Sequence, residues 1–206
     1  MKIIVADDHA VVRKGLKQIL LEISGVKAVE EVDNGPALIE RITKENFDFV
    51  ILDISMPGQS GLLTLKEIKD RKPKLPVLIL SIHPEEQYAL RSLRDGASGY
   101  LTKDSAPEEL VRAIQKILSG HKYITQTLAD KLVNNFGDKL PHELLSDREY
   151  EVFSMIAVGK TMTGIADELS LSVKTVSTYR SRIYDKMDMK SRTEITLYAI
   201  HNELIK

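Results

Sequence analysis

The sequence predicts an α/β domain, a doubly wound five-stranded parallel sheet, followed by a small all-α domain with a helix-turn-helix at its centre. Three observations carry this prediction. Five short apolar runs alternate with amphipathic stretches over residues 1–119, the pattern of strands buried on both faces with helices between them. No strand signal follows residue 143, where four helical stretches succeed one another. Polar side chains close the apolar runs: Asp7 and Asp8 after Ile3-Ile4-Val5-Ala6, Asp53 after Phe49-Val50-Ile51-Leu52, Ser81 after Val77-Leu78-Ile79-Leu80, and Lys103 just past Gly99-Tyr100-Leu101. A parallel sheet gathers such residues at one edge, where open α/β sheets bind ligands.

The strands are expected at 2–6, 27–32, 49–53, 76–81 and 98–101, and the helices at 10–22, 36–45, 60–71, 85–95 and 107–119. Each connection is long enough for the crossover that parallel strands require. Pro107 with Glu108 and Glu109 is a good helix start, because proline and acids suit the first turn. Gly120 suits the position just past the helix end. Residues 120–142 read as a linker carrying one short helix at 125–135, with Leu128, Leu132, Val133 and Phe136 at helical spacing, before Gly137-Asp138-Lys139-Leu140-Pro141 breaks the pattern.

In the second domain, 143–206, Ser146-Asp147-Arg148-Glu149 is a capping box, with serine at the cap and glutamate three residues on. Gly159 ends that helix. Thr161 to Leu169 forms a short second helix, with Ile165, Ala166 and Leu169 inward. Ser172 caps a third, on which Val173, Val176, Ile183 and Met187 form an apolar stripe. Arg192 to Leu204 forms the fourth. A short helix, a tight turn and a long helix suggest a helix-turn-helix.

Composition narrows the function. The chain of 206 residues has no cysteine, which excludes disulfides, thiol catalysis and cysteine-ligated zinc. No run approaches the ~18 apolar residues of a membrane span. The N-terminus reaches Asp7 too soon for a signal peptide, so a cytoplasmic location is expected. The net charge of −1 is silent on nucleic acid, and the distribution of charge says more. From 143 to 168 acids dominate. From 174 to 192 Lys174, Arg180, Arg182, Lys186, Lys190 and Arg192 outnumber Asp185 and Asp188. The basic stretch coincides with the longest helix, whose start carries Lys174, Thr175, Ser177, Thr178 and Ser181, groups small or long enough to meet a groove and its phosphates.

The acidic residues gain meaning jointly. An Asp-Asp pair at a buried strand end is costly without a neighbouring positive charge, and Asp53 adds to the repulsion. Lys103 offsets part of it, and a hard divalent cation would offset more. The constellation suits a phosphoryl group with magnesium. Asp53 also precedes Ile54-Ser55-Met56-Pro57-Gly58-Gln59-Ser60-Gly61, a turn expected to leave its carboxylate accessible.

Asp7-Asp8, Asp53 with Met56-Pro57 and Gly61, Ser81, Tyr100 and Lys103 stand in the order and spacing of the receiver domain of two-component response regulators, which residues 1–119 resemble. The resemblance implies a flavodoxin-like fold and phosphorylation of Asp53 by a sensor histidine kinase. It implies that Asp8, Asp53 and the main-chain carbonyl of Ser55 bind Mg2+, with Asp7 placing a metal-bound water. Ser81 and Lys103 would contact phosphoryl oxygens, and Tyr100 would change rotamer as Ser81 moves. Taken alone, Tyr100 reads as a core tyrosine. Asp104 stands where many receivers have proline.

The second domain resembles the LuxR-type helix-turn-helix, from Leu145-Ser146-Asp147-Arg148-Glu149 through Ile165-Ala166, Leu169 and Ser172-Val173-Lys174-Thr175-Val176 to Lys190-Ser191-Arg192. The whole chain thus resembles a NarL/FixJ-type response regulator. The resemblance implies double-stranded DNA as partner, read by Lys174, Thr175, Ser177, Thr178, Ser181 and Arg182. It also implies a homodimer when phosphorylated or DNA-bound, and RNA polymerase as a candidate partner. The last helix would be the dimer face, with Ile195, Tyr198, Ala199 and Asn202 as its candidates, although their spacing also fits core packing. The expected function is phosphorylation-controlled transcription, not enzymatic turnover. A phosphohydrolase would share the aspartyl nucleophile, but no second domain caps a substrate pocket. A protein-docking module would share the helices but not the basic polarity.

Overall fold

The computed structural model describes residues 1–56, 60–125, 128–129 and 140–205. They divide into two compact units, Met1–Ala129 and Asp130–Lys206.

In the first unit, β1 (Lys2–Ala6), α1 (Ala10–Leu21), β2 (Ala28–Val32), α2 (Gly35–Lys44), β3 (Phe49–Leu52), α3 (Gly61–Arg71), β4 (Val77–Ser81), α4 (Glu85–Arg94), β5 (Gly99–Thr102) and α5 (Pro107–Leu118) alternate. The strands are all parallel, in the order β2-β1-β3-β4-β5. Each lies within a residue of its expected bounds because an apolar run buried on both faces has little freedom in where it starts. Alternate residues supply the two faces. Ile3, Val5, Phe49, Ile51, Leu78, Leu80 and Leu101 pack with Leu16 and Leu20 of α1 and with Leu110, Ala113, Ile114 and Ile117 of α5. Ile4, Val50, Leu52 and Ile79 are equally buried on the opposite side.

The register positions the functional edge. Ala6 pairs with Leu52, and the Asp53 N–H donates to the Ala6 carbonyl at 2.9 Å. Ser81 pairs with Thr102, and the Lys103 N–H donates to the Ser81 carbonyl at 2.8 Å. The strand ends therefore come level. Gly61 closes the return from Asp53, because a Cβ there would stand 2.2 Å from the Asp53 carbonyl oxygen. Pro57, Gly58 and Gln59 lie outside the described residues.

The chain after α5 does not leave the sheet at residue 119. The Tyr123 N–H donates to the Ser98 carbonyl at 2.8 Å, its hydroxyl to Glu109 at 3.0 Å, and Leu128 is buried. The first part of the expected linker thus packs as part of the first unit. The expected helix at 125–135 falls mostly outside the described residues, Leu132, Val133 and Phe136 with it.

In the second unit a 3-10 turn, Pro141–Leu144, precedes α6 (Asp147–Ala157), α7 (Met162–Glu168), α8 (Val173–Met187) and α9 (Arg192–His201). The capping box at Ser146 and Glu149 is complete. Thr161, Ser172 and Ser191 each cap their helix by accepting a backbone N–H. Gly159 ends α6 at φ 98°, where a Cβ would be strained. Val176, Ile183 and Met187 face inward as expected. Val173 does not: it is 46% exposed, as the first residue of α8 at the margin of the stripe that Val176, Ile183 and Met187 bury. Among the described residues no peptide bond is cis, Lys103–Asp104 included, and no helix is long and apolar enough to cross a membrane.

Candidate functional site

The acidic pocket is assembled from three strand ends. Asp7 and Asp53 are each 1% exposed and Lys103 10%. The Lys103 ammonium stands between the two carboxylates, 2.6 Å from Asp7 Oδ2 and 2.7 Å from Asp53 Oδ2. Their other oxygens accept main-chain hydrogen bonds: Asp7 Oδ1 from His9 N–H at 2.8 Å, and Asp53 Oδ1 from Ser55 N–H at 3.1 Å. The Arg13 guanidinium donates to the Asp7 carbonyl at 2.5 Å. Both carboxylates are thus fixed in orientation. The expectation that the turn after Asp53 leaves its carboxylate open is not met, because Lys103 draws it inward. Asp8 is the partly exposed carboxylate of the three.

Burial pushes the Asp53 carboxyl above the ordinary carboxylate range, against the pull of Lys103 and the Ser55 N–H. Burial alone would lower the Lys103 ammonium, but its hydrogen bonds to Asp53 and Asp7 outweigh burial and raise it. Three carboxylates against one ammonium leave the pocket short of positive charge, a costly state at low dielectric. One oxygen of Asp8 is buried and accepts no hydrogen bond. A carboxylate-rich, charge-deficient site in which Asp8 Oδ1 meets only the neighbouring His9 ring fits a hard divalent cation.

Beside the pocket, Ser81 and Tyr100 are fully buried. The peptide of His83 joins them: its N–H donates to Ser81 Oγ at 3.2 Å, and its carbonyl accepts from the Tyr100 hydroxyl at 2.8 Å. Ser81 and Tyr100 are thus linked through one residue. The sequence carried no signal for His83, because its contribution is main-chain.

In the second unit α8 turns Lys174, Thr178, Ser181 and Arg182 to solvent, with Thr175 and Ser177 half-buried beside them. Thr175 Oγ1 lies 2.7 Å from the Ser172 hydroxyl, and the Thr178 hydroxyl donates to the Lys174 carbonyl at 3.1 Å. From behind, two adjacent residues of α6 hold the helix-turn-helix. Arg148 donates to the Leu169 carbonyl at the end of α7 (2.9 Å) and to Glu151 (2.8 Å). Glu149 accepts from Lys186 of α8 (2.6 Å) and from the Ser146 N–H (2.8 Å). Burial would raise the Glu149 carboxyl, but Lys186 and Ser146 outweigh it and hold it low. The sequence showed the capping box but not its second use.

The expected dimer face on α9 needs correction. Ile195 and Ala199 are fully buried inside the domain, so they are core and not surface. The Tyr198 hydroxyl lies 2.8 Å from the His142 ring, and Asn202 donates to the Tyr198 carbonyl at 2.9 Å. The apolar side chains that α9 exposes are Leu197, at 61%, and Ile200, at 54%.

A doubly wound sheet with an acidic pocket at its carboxyl edge, followed by a helix-turn-helix, defines a DNA-binding response regulator. Residues 3–115 match the response regulator receiver domain, and residues 143–199 match the luxR family of bacterial regulatory proteins. This chain belongs to the family of response regulators with a receiver and a LuxR-type output domain. It is similar to oxygen regulatory protein NreC of Staphylococcus haemolyticus, at 36% identity over 100% of this chain and 99% of that protein. It is similar in structure to RcsB of Salmonella enterica serovar Typhimurium bound to promoter rprA with the phosphomimetic BeF3−. That match has a TM-score of 0.70 and 28% identity over 96% of this chain and 97% of RcsB. A further RcsB–DNA complex matches over 100% of this chain and 99% of that one, with a TM-score of 0.60 and 28% identity. The protein is a transcription regulator, not a catalytic enzyme.

Proposed function

We propose that Asp53 accepts a phosphoryl group from the phosphohistidine of a sensor kinase, and that this modification controls DNA binding by a homodimer in the cytoplasm. The observation that carries the reading is the Lys103 ammonium placed between Asp7 and Asp53. A buried carboxylate oxygen attacks phosphorus in line, the phosphorus–nitrogen bond breaks, and the imidazole leaves with its electron pair and takes up a proton. Asp53 begins poised for this, being held by Ser55 N–H and by an ammonium that can pass to a phosphoryl oxygen. Asp8, Asp53 and the Ser55 carbonyl would hold Mg2+, with Asp7 acting through a water. When bound, the ion supplies positive charge to the reacting oxygens. The Ser81 hydroxyl then bonds another phosphoryl oxygen, its link to His83 changes, and Tyr100 responds. The RcsB complex that carries both BeF3− and promoter DNA supports coupling of the two states.

On the DNA side, Lys174 and Arg182 bind phosphates, while Thr175, Ser177, Thr178 and Ser181 approach base edges. Tyr198 and Asn202 remain at the margin of a dimer surface on α9, now with Leu197 and Ile200 at its centre. Incubation with phosphoramidate and Mg2+ should label one alkali-labile site, read by intact mass, and Asp53→Asn should abolish it. Stoichiometric labelling of that variant would sink the assignment.

A further inference from the structure

The acidic pocket has a further member to which neither the resemblance nor the comparisons give a role. His9 occupies the N-cap position of α1 without a side-chain cap bond, and its ring Nδ1 lies 2.8 Å from Asp8 Oδ1 and 3.3 Å from Asp7 Oδ1. One ligand atom from each of Asp7, Asp8, His9 and Asp53 can be chosen so that all lie within 4.8 Å of one another. Neighbouring ligands on an octahedral ion with bonds of about 2.1 Å stand about 3 Å apart, which is the spacing of the ring nitrogen from both carboxylates. Lys103 takes the Oδ2 atoms of Asp7 and Asp53, whereas His9 stands against Oδ1 of Asp7. The Asp8 oxygen nearest the ring, Oδ1, is buried and has no hydrogen-bond partner beyond this contact with the ring. The His9 main chain is anchored by its N–H on Asp7 Oδ1, so the ring is delivered to the pocket by a fixed backbone.

We infer that His9 supplies a nitrogen ligand to the cation held by Asp8 and Asp53, and thereby shifts this pocket's preference from Mg2+ toward first-row transition ions. The inference rests on the metal role proposed above. Imidazole adds little to a hard ion that prefers oxygen and keeps its waters. It adds much to Co2+, whose affinity for nitrogen donors exceeds that of Mn2+. The ring is 56% exposed, so its replacement leaves the core intact.

The test uses the full chain and the metals alone. Calorimetric titration with Mg2+ and with Co2+, above the ordinary imidazole pKa, compares the unaltered protein with His9→Ala. Pulsed electron paramagnetic resonance on the Mn2+-loaded proteins reads nitrogen coupling directly. The substitution should lower the Co2+-over-Mg2+ preference at least about tenfold, almost wholly through Co2+, and remove the nitrogen coupling. An unchanged preference, or coupling that persists without His9, overturns the role of the ring while leaving the carboxylate site standing. Failure of the unaltered protein to bind either ion overturns both.

Discussion

The carboxyl edge of the sheet and the outer face of α8 are both polar surfaces on apolar scaffolds, yet they are held in opposite ways. In the pocket the functional groups hold one another: Lys103 binds Asp7 and Asp53, and main-chain N–H groups fix the remaining oxygens. On α8 the hydrogen bonds of Thr175 and Thr178 are local, to Ser172 and the Lys174 carbonyl. What positions that face lies behind it, in Val176, Ile183, Met187 and the Glu149–Lys186 pair. The difference teaches what each task demands. The phosphoryl transfer proposed for the pocket needs charges already oriented against burial. Groove reading needs a rigid platform whose tips stay available.

The largest expected effect breaks the pocket. Lys103→Ala leaves two buried carboxylates without their cation, and loss of one partner from such a cluster costs about 3–5 kcal/mol. Thermal unfolding without divalent metal should show a loss of that order in the first unit, and saturating Mg2+ should recover much of it. An equal loss with and without Mg2+ would show that Lys103 matters through packing alone.

A smaller effect tests the platform. Glu149→Gln keeps the shape but removes the charge that Lys186 meets, a loss of about 1.5–3 kcal/mol for a charge-assisted bond. The folded pKa of Glu149 lies below its unfolded value. Its contribution is therefore present above the ordinary carboxylate pKa of about 4.3 and is lost as pH falls through the folded value. Melting curves of variant and unaltered protein should differ at neutral pH and converge in acid. A gap that persists below the folded pKa would remove the ion pair as its cause.

The smallest effects sharpen the reading of α8. Lys174→Ala and Arg182→Ala should weaken specific and random duplexes alike, each lowering the salt slope of log K by about 1. Thr178→Ala and Ser181→Ala should instead change the specific-to-random ratio, by about 1–3 kcal/mol where a base contact is lost. Titrations against both duplexes at several salt concentrations separate the two groups. An unchanged ratio for the threonine and serine variants would move selectivity to DNA shape.

Asp7, Asp53 and Lys103 could be read from the chain because their joint occurrence at the ends of separate buried runs, costly for the acids without a neighbouring cation, has a common reason in a parallel sheet that collects them. The caps at Ser146 and Ser172 could be read because each side chain acts on the N–H group three residues on, whereas Thr161, read as the first residue of its helix, is its cap. Ile195 and Ala199 were misassigned for a definable reason: helical spacing shows that two residues share a face, not what covers that face. Val173 was read into the apolar stripe, yet it lies at the stripe's margin and at the helix end, and it is exposed. Tyr123 lies in a stretch that reads as linker, because its bond to Ser98 joins residues whose proximity no local pattern encodes.

Short-range rules thus specified the alternation of strand and helix, the caps, and the residue types at the strand ends, since each depends on neighbours within about one helical turn. Packing decided the rest. It turned Asp53 inward onto Lys103, joined Ser81 to Tyr100 through the main chain of His83, and gave Leu197 and Ile200 the outer face of α9. Those outcomes depend on which side chains compete for the same space and the same buried charge. That competition exists only once elements distant in the chain have met.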